Sequence, residues 1–172
     1  MKIVTYNCCL PPWSLTRKTR LPIIVSTLLK KNAEIVCLQE IFFKKDADYI
    51  TNYLFEYGFN QSFYFKDLLI VSKHPFIHKA GFEFKDQGKF FSLAILDVLY
   101  KKAFQIVKIK INRQIFLVAN VHLLSALSCD KEIHQKVREN QAIELCKYAK
   151  RQKVEKFILV GDFNFHKHSP PY

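Results

Sequence analysis

Apolar and polar positions change their spacing repeatedly along this chain. Lys2 to Asn7 and Glu34 to Gln39 are short apolar runs, which predict largely buried strands. Between them Leu21, Ile24, Val25, Leu28 and Leu29 recur at helical spacing. Pro22 suits a first helical turn, so a helix is predicted from there to about Lys31. A second helix is predicted from Asp46 to Tyr57, with Gly58 as its C-cap. Residues 61–65 and 68–72 read as strands, followed by Pro75. The stretch from Phe90 to Leu124 is mostly strand. Within it Val107, Ile109 and Ile111 alternate with Lys108, Lys110 and Asn112, the half-buried pattern. Asn112-Arg113 marks a turn into Q-I-F-L-V-A-N-V, a run apolar on both faces. Residues 131–150 give the clearest helix, with Val137, Gln141, Leu145, Tyr148 and Ala149 on one face. Lys156 to Gly161 is the last strand.

Hairpins mixed with crossover helices predict an α/β protein of two packed sheets with helices outside. A single doubly wound sheet is the competing architecture. The sequence holds neither G-x-G-x-x-G nor G-x-x-x-x-G-K-[ST], which weakens a nucleotide-binding reading. No repeat, low-complexity tract or linker divides the 172 residues, so one domain over 1–172 is expected.

Composition narrows this only slightly. With 49% hydrophobic and 24% charged residues the chain is globular rather than disordered. Its 27 Lys and Arg against 15 Asp and Glu give a formal charge of +12. That excess favours anionic partners: nucleic acid, acidic lipid surfaces or phosphorylated small molecules. A solvated basic face kept for solubility explains it equally well. The five cysteines include no C-x-x-C, which argues against a zinc ribbon or a disulfide framework. Cys8, Cys37 and Cys146 lie in apolar runs and are expected to be reduced core residues. No signal peptide or membrane-spanning segment is evident, so a cytoplasmic protein is expected.

The chemistry lies at the strand ends. The first strand ends at Asn7, the second at Gln39-Glu40, the strand after Asn112-Arg113 at Asn120-Val121-His122, and the last at Asp162-Phe163-Asn164. Residues i and i+2 of a strand share a face, so Asn120 and His122, and Asp162 and Asn164, are expected to face one site. Taken singly, each is explained by the turn that follows a strand. Together they form a set suited to a hard cation: magnesium takes oxygen ligands and needs one or two carboxylates. Glu40 is the expected main ligand, with Asn7 beside it. His122 and the Asn164 amide are expected to donate hydrogen bonds to a phosphate. His166 and His168 form an H-x-H with no third ligand nearby in sequence. F-Y-F-K at 63–66 is a short candidate for stacking on single-stranded nucleic acid.

The motifs K-I-V-T-Y-N-C, A-E-I-V-C-L-Q-E, L-L-I-V-S-K-H-P, V-A-N-V-H-L, V-R-E-N-Q and G-D-F-N-F occur in this order over nearly the whole chain. They resemble those of the endonuclease/exonuclease/phosphatase superfamily. The resemblance implies a four-layer sandwich and magnesium-dependent phosphoester hydrolysis, with manganese as an alternative ion. It implies Asn7 and Glu40 at the metal, His122 at the phosphate, and Asp162 and Asn164 orienting nucleophile and phosphate. It also places Arg138 and Gln141 in the helix that follows the His122 strand. N-C-C-L-P-P-W, E-I-F and V-S-K-H-P are similar to the sphingomyelinase-like branch. The implied substrate is a phosphodiester, a phospholipid headgroup first and nucleic acid second. A non-catalytic binding module that kept the scaffold is a third possibility.

One family feature is missing. The superfamily ends on a strand carrying S-D-H, whose His activates water, and no S-D-H occurs here. The chain is therefore expected to be the front portion of a sandwich left incomplete at its C-terminus. It would then be weak or inactive alone, and open to a missing C-terminal partner chain.

Overall fold

The computed structural model describes residues 1–88, 101–125, 131–152, 154 and 156–165. The elements are β1 (Ile3–Leu10), α1 (Arg17–Lys30), β2 (Ile35–Ile41), α2 (Lys44–Phe55), β3 (Gln61–Phe65), β4 (Leu68–Ser72), β5 (Phe76–Glu83), β6 (Ala103–Ile111), β7 (Gln114–His122), α3 (Lys131–Arg151) and β8 (Lys156–Asp162). They form two mixed four-stranded sheets, ordered β1-β2-β4-β3 and β5-β6-β7-β8. This decides for two sheets over one doubly wound sheet.

Three apolar layers follow from strand alternation. Ile35, Cys37 and Ile70 of the first sheet meet Val107, Ile109 and Val118 of the second. The opposite face of the first sheet, with Val36, Leu38, Leu69 and Val71, packs on Leu21, Ile24, Val25 and Leu28 of α1 and on Ile50 and Leu54 of α2. The outer face of the second sheet, with Phe104, Ile106, Leu117 and Ala119, packs on Leu145 and Tyr148 of α3. The order is thus helices, sheet, sheet, helix, the four-layer α/β sandwich.

Several local details differ from the pattern reading. Pro22 is not in a first turn: α1 begins five residues earlier, at Arg17. Tertiary contacts hold that extra turn, because Arg17 pairs with the buried Asp46 of α2 at 3.1 Å and lies over the Phe43 ring. β5 has no regular apolar alternation in H-K-A-G, and the pairing with β6 makes it a strand. Gly81 is required there, since a Cβ would overlap the Phe65 ring of β3. Cys8 and Cys37 are buried, but Cys146 is exposed on α3, so it is not a core residue. Residues 90–100 of the Phe90–Leu124 stretch, Cys129, His166 and His168 lie outside the described residues.

The end of α2 follows the sequence. Gly58 takes φ +84°, its N–H bonds the Phe55 carbonyl, and Phe59 N–H bonds the Leu54 carbonyl. That is a Schellman closure, sealed by contact of Phe59 with the core.

Each sheet contains one parallel pair, β1/β2 and β7/β8. In the first, Asn7 stands opposite Gln39; in the second, His122 stands opposite Asp162. Parallel pairing levels the C-terminal ends within each sheet. β1 and β8 also approach each other across the sandwich, which gathers all four ends at one edge.

A buried polar cluster fixes how the sheets meet below that edge. Gln39 Nε2 donates to Asn120 Oδ1 at 2.7 Å and to Thr5 Oγ1 at 3.0 Å. Asn120 Nδ2 donates to the Leu38 carbonyl at 2.9 Å. With its amide oriented to satisfy its neighbours, Gln105 accepts from Asn120 Nδ2 and from the Leu69 and Ile70 N–H groups, and donates to the Phe63 carbonyl. These three amides are essentially without solvent exposure. A shift of one sheet against the other would strand them unpaired, so the cluster specifies register.

Candidate metal and phosphate site

The β1/β2 end is distorted. Between the pairs Asn7–Gln39 and Leu10–Ile41, β1 holds one more residue than β2. Cys9 takes φ +46° in this bulge and Glu40 takes φ +58°. Left-handed conformations in non-glycine residues cost of the order of 1–3 kcal/mol each, and they concentrate where geometry serves function. Here the bulge turns Cys9 N–H onto Asn7 Oδ1, at 2.9 Å. The Asn7 amide group is thereby aimed across the edge. Its Nδ2 donates to Glu40 Oε1 at 2.8 Å and to Asp162 Oδ2 at 2.7 Å.

Asp162 is set by the β8 end. Leu123 N–H donates to its backbone carbonyl and Asn164 N–H to its Oδ1. Gly161 must be glycine: its φ is +137°, and a Cβ would overlap the Val121 carbonyl of the adjacent strand. Asn164 takes φ +52° and donates its side-chain amide to the Leu123 carbonyl at 2.9 Å.

His122 completes the set from β7. Its Nδ1 lies 2.6 Å from Asp67 Oδ2, and its Nε2 lies 3.9 Å from Glu40 Oε1. Lys102 Nζ stands 3.0 Å from Nε2. This geometry fits an Nδ1–H donated to Asp67, with Nε2 facing the site. Burial pushes the Asp67 carboxyl up, but the His122 hydrogen bond and the charges of His122 and Lys102 hold it below the usual carboxylate value. Among the described residues, buried Asp67 Oδ1 has no hydrogen-bond partner.

One donor atom each from Glu40, His122 and Asp162 lies within 4.8 Å of the others. A cavity of about 150 Å³ beside them is lined by Thr5, Tyr6, Asn7, Gln39, Gly161 and Asp162. The structure therefore brings together Asn7, Glu40, His122 and Asp162, with Asn164 at the margin. Asn120 does not face the site, being consumed in the cluster between the sheets. Gln141 is also a tie: it accepts from Leu124 N–H and donates to the Asp86 carbonyl. Arg138 lies over the Phe165 ring, with Nη1 3.5 Å from the Ser125 carbonyl. The 63–66 segment is structural as well. Phe63 packs between the sheets, Tyr64 OH bonds the Ile41 carbonyl, and Lys66 pairs with Glu83.

Sequence reasoning missed Asp67 and Lys102. Asp67 sits in the β3–β4 turn, where an Asp needs no further reason. Lys102 is one basic residue among 27. Only the fold shows that both side chains are nearly fully buried against His122.

Neither a protein-family model nor a curated protein matches the chain. Solved structures do. A mutant of beta toxin from Staphylococcus aureus with bound magnesium ions aligns with TM-score 0.85 at 21% identity, over 98% of this chain and 66% of that one. Sphingomyelinase C from Streptomyces griseocarneus aligns with TM-score 0.84 at 18% identity, over 98% and 65%. TDP2 from D. rerio complexed with a single-strand DNA product aligns with TM-score 0.72 at 18% identity, over 97% and 62%. The chain has the endonuclease/exonuclease/phosphatase fold. It spans about two thirds of the toxin and sphingomyelinase chains. Among the described residues, no helix of this fold is long and apolar enough to cross a membrane.

Proposed function

We propose that the chain is a magnesium-dependent phosphodiesterase scaffold in which Glu40 and Asp162 would hold the ion and the Asn7 amide gathers their two carboxylates. The carrying observation is the Asn7 amide lodged between two carboxylates from different sheets, at 2.7 and 2.8 Å. Two carboxylates converging on one point suit a hard cation, and their oxygens suit magnesium or manganese. When bound, such an ion neutralises a phosphate oxygen and the developing charge of the leaving group.

The chain's own residues do the rest. His122 is oriented by ionised Asp67 through Nδ1, and its Nε2 edge, with Lys102 Nζ beside it, faces the position an equatorial phosphate oxygen would take. Asp162 accepts a hydrogen bond from the attacking water, and Asn164 N–H keeps that carboxylate oriented. No S-D-H base is in the sequence, so hydrolysis by residues 1–172 is slower than with a positioned base by about 10²–10⁴. A phospholipid headgroup is the first substrate class, supported by the higher similarity to the sphingomyelinase and toxin folds. Nucleic acid is the second, favoured by the +12 charge.

The test is hydrolysis of sphingomyelin, abasic DNA and a soluble phosphodiester with and without magnesium, using Glu40→Gln as control. The expected result is slow, magnesium-dependent turnover that falls with the substitution. Turnover indifferent to Glu40 would remove the assignment.

A further inference from the structure

Arg20 in the first turns of α1 lies outside every motif considered above. Its guanidinium forks onto two consecutive carbonyls of the β1 bulge, with Nη2 donating to Cys8 and Nη1 to Cys9, both at 3.0 Å. Those carbonyls flank the left-handed Cys9, whose N–H holds Asn7 Oδ1 at 2.9 Å. The Asn7 amide in turn bonds Glu40 and Asp162.

We infer that Arg20 is a positioning residue for the cation site, acting through the Cys8–Cys9 backbone on the orientation of Asn7. This rests on the metal-site reading of Asn7, Glu40 and Asp162. The bulge needs an external hold. A left-handed Cys9 is uphill by itself, and one-residue slippage of β1 would return it to extended backbone. Slippage would also withdraw the N–H that fixes Asn7 Oδ1. The Asn7 amide would then lose its fixed orientation, and the Glu40 and Asp162 carboxylates would no longer be held together by its N–H groups. A planar fork with fixed N–H directions binds two adjacent carbonyls at once. A lysine ammonium is a point charge and does not reproduce that span.

The experiment uses the whole chain, labelled with ¹⁵N, and reads the Asn7 side-chain amide signals without metal; they are identified by their loss in Asn7→Asp. The wild type is expected to show two separated, downfield amide protons. In Arg20→Gln they collapse toward the values of a free side chain, and magnesium binding measured by calorimetry weakens by about tenfold. Arg20→Lys lies much nearer to Arg20→Gln than to wild type, and all three share the same circular dichroism. Unchanged Asn7 signals in Arg20→Gln would overturn the inference even if magnesium still requires Glu40. Full rescue by lysine would overturn it too, by reducing the effect to charge. If the wild type binds no magnesium, the metal reading fails, and the Asn7 signals still decide whether Arg20 orients that side chain.

Discussion

Asn7 and Asp162 are 155 positions apart in sequence and 2.7 Å apart in the structure. One stands at the bulge of the first strand of the first sheet, which runs on to Leu10 rather than ending at Asn7; the other closes the last strand of the second. Their contact requires both parallel pairs to end level and the sheets to meet in one register. The site thus depends on the whole sandwich, and each prediction below probes one link of that dependence.

Gly161→Ala tests the close approach of β8 to β7. The new Cβ would overlap the Val121 carbonyl, with φ +137° adding strain. The expected loss is about 3 kcal/mol or more of stability, read by urea denaturation. A variant with the wild-type midpoint would show that β8 does not lie as described.

Asn120→Ala tests the cluster between the sheets. It removes the acceptor of Gln39 and leaves buried amides of Gln39 and Gln105 short of partners. The expected cost is about 2–4 kcal/mol, at roughly 1–3 kcal/mol per stranded group. A near-neutral result by the same denaturation would mean that water or neighbours already satisfy those groups.

Much of this was legible in the sequence, for a physical reason. The strand-end residues Asn7, Glu40, His122 and Asp162 follow apolar runs, and parallel β ends converge by topology, so order along the chain forecasts proximity. Asp67 and Lys102 were not legible, because a turn Asp and a Lys beside a strand carry no periodic signal. β5 was missed because its strand character comes from β6 and from the space above Phe65, not from alternation. Pro22 misled because the first turns of α1 are held by Arg17 against Asp46, a contact between distant segments. Cys146 misled because an apolar neighbourhood in sequence does not say which side of a helix faces out.

Acid titration isolates Asp67. Its carboxyl is held below the unfolded-chain value of 3.8, chiefly by His122 working against the effect of burial. A value depressed in the folded state gives stability that is whole above about pH 4 and is lost as pH falls through the folded value. Asp67→Asn is therefore expected to be less stable than wild type by about 1–3 kcal/mol at neutral pH. The gap should narrow below pH 4 when unfolding is followed against pH. A gap that stays constant into acid would show that the Asp67 charge is not what His122 receives.

Thiol chemistry checks the layering. Burial pushes the Cys8 thiol up to about 12 and the Cys37 thiol higher still, while Cys9 and Cys146 are exposed. Under native conditions iodoacetamide should alkylate Cys9 and Cys146 well before Cys8 and Cys37, as read by peptide mass spectrometry. Early labelling of Cys37 would place solvent between the sheets.

The central claim is that Glu40 and Asp162, gathered by Asn7, form a divalent-cation site. Calorimetric titration of magnesium into the folded chain tests it most directly, beside Glu40→Gln and Asp162→Asn. One saturable site is expected in the wild type, with no detectable heat in either variant. Equal heats in all three proteins, or none in the wild type, would contradict the account.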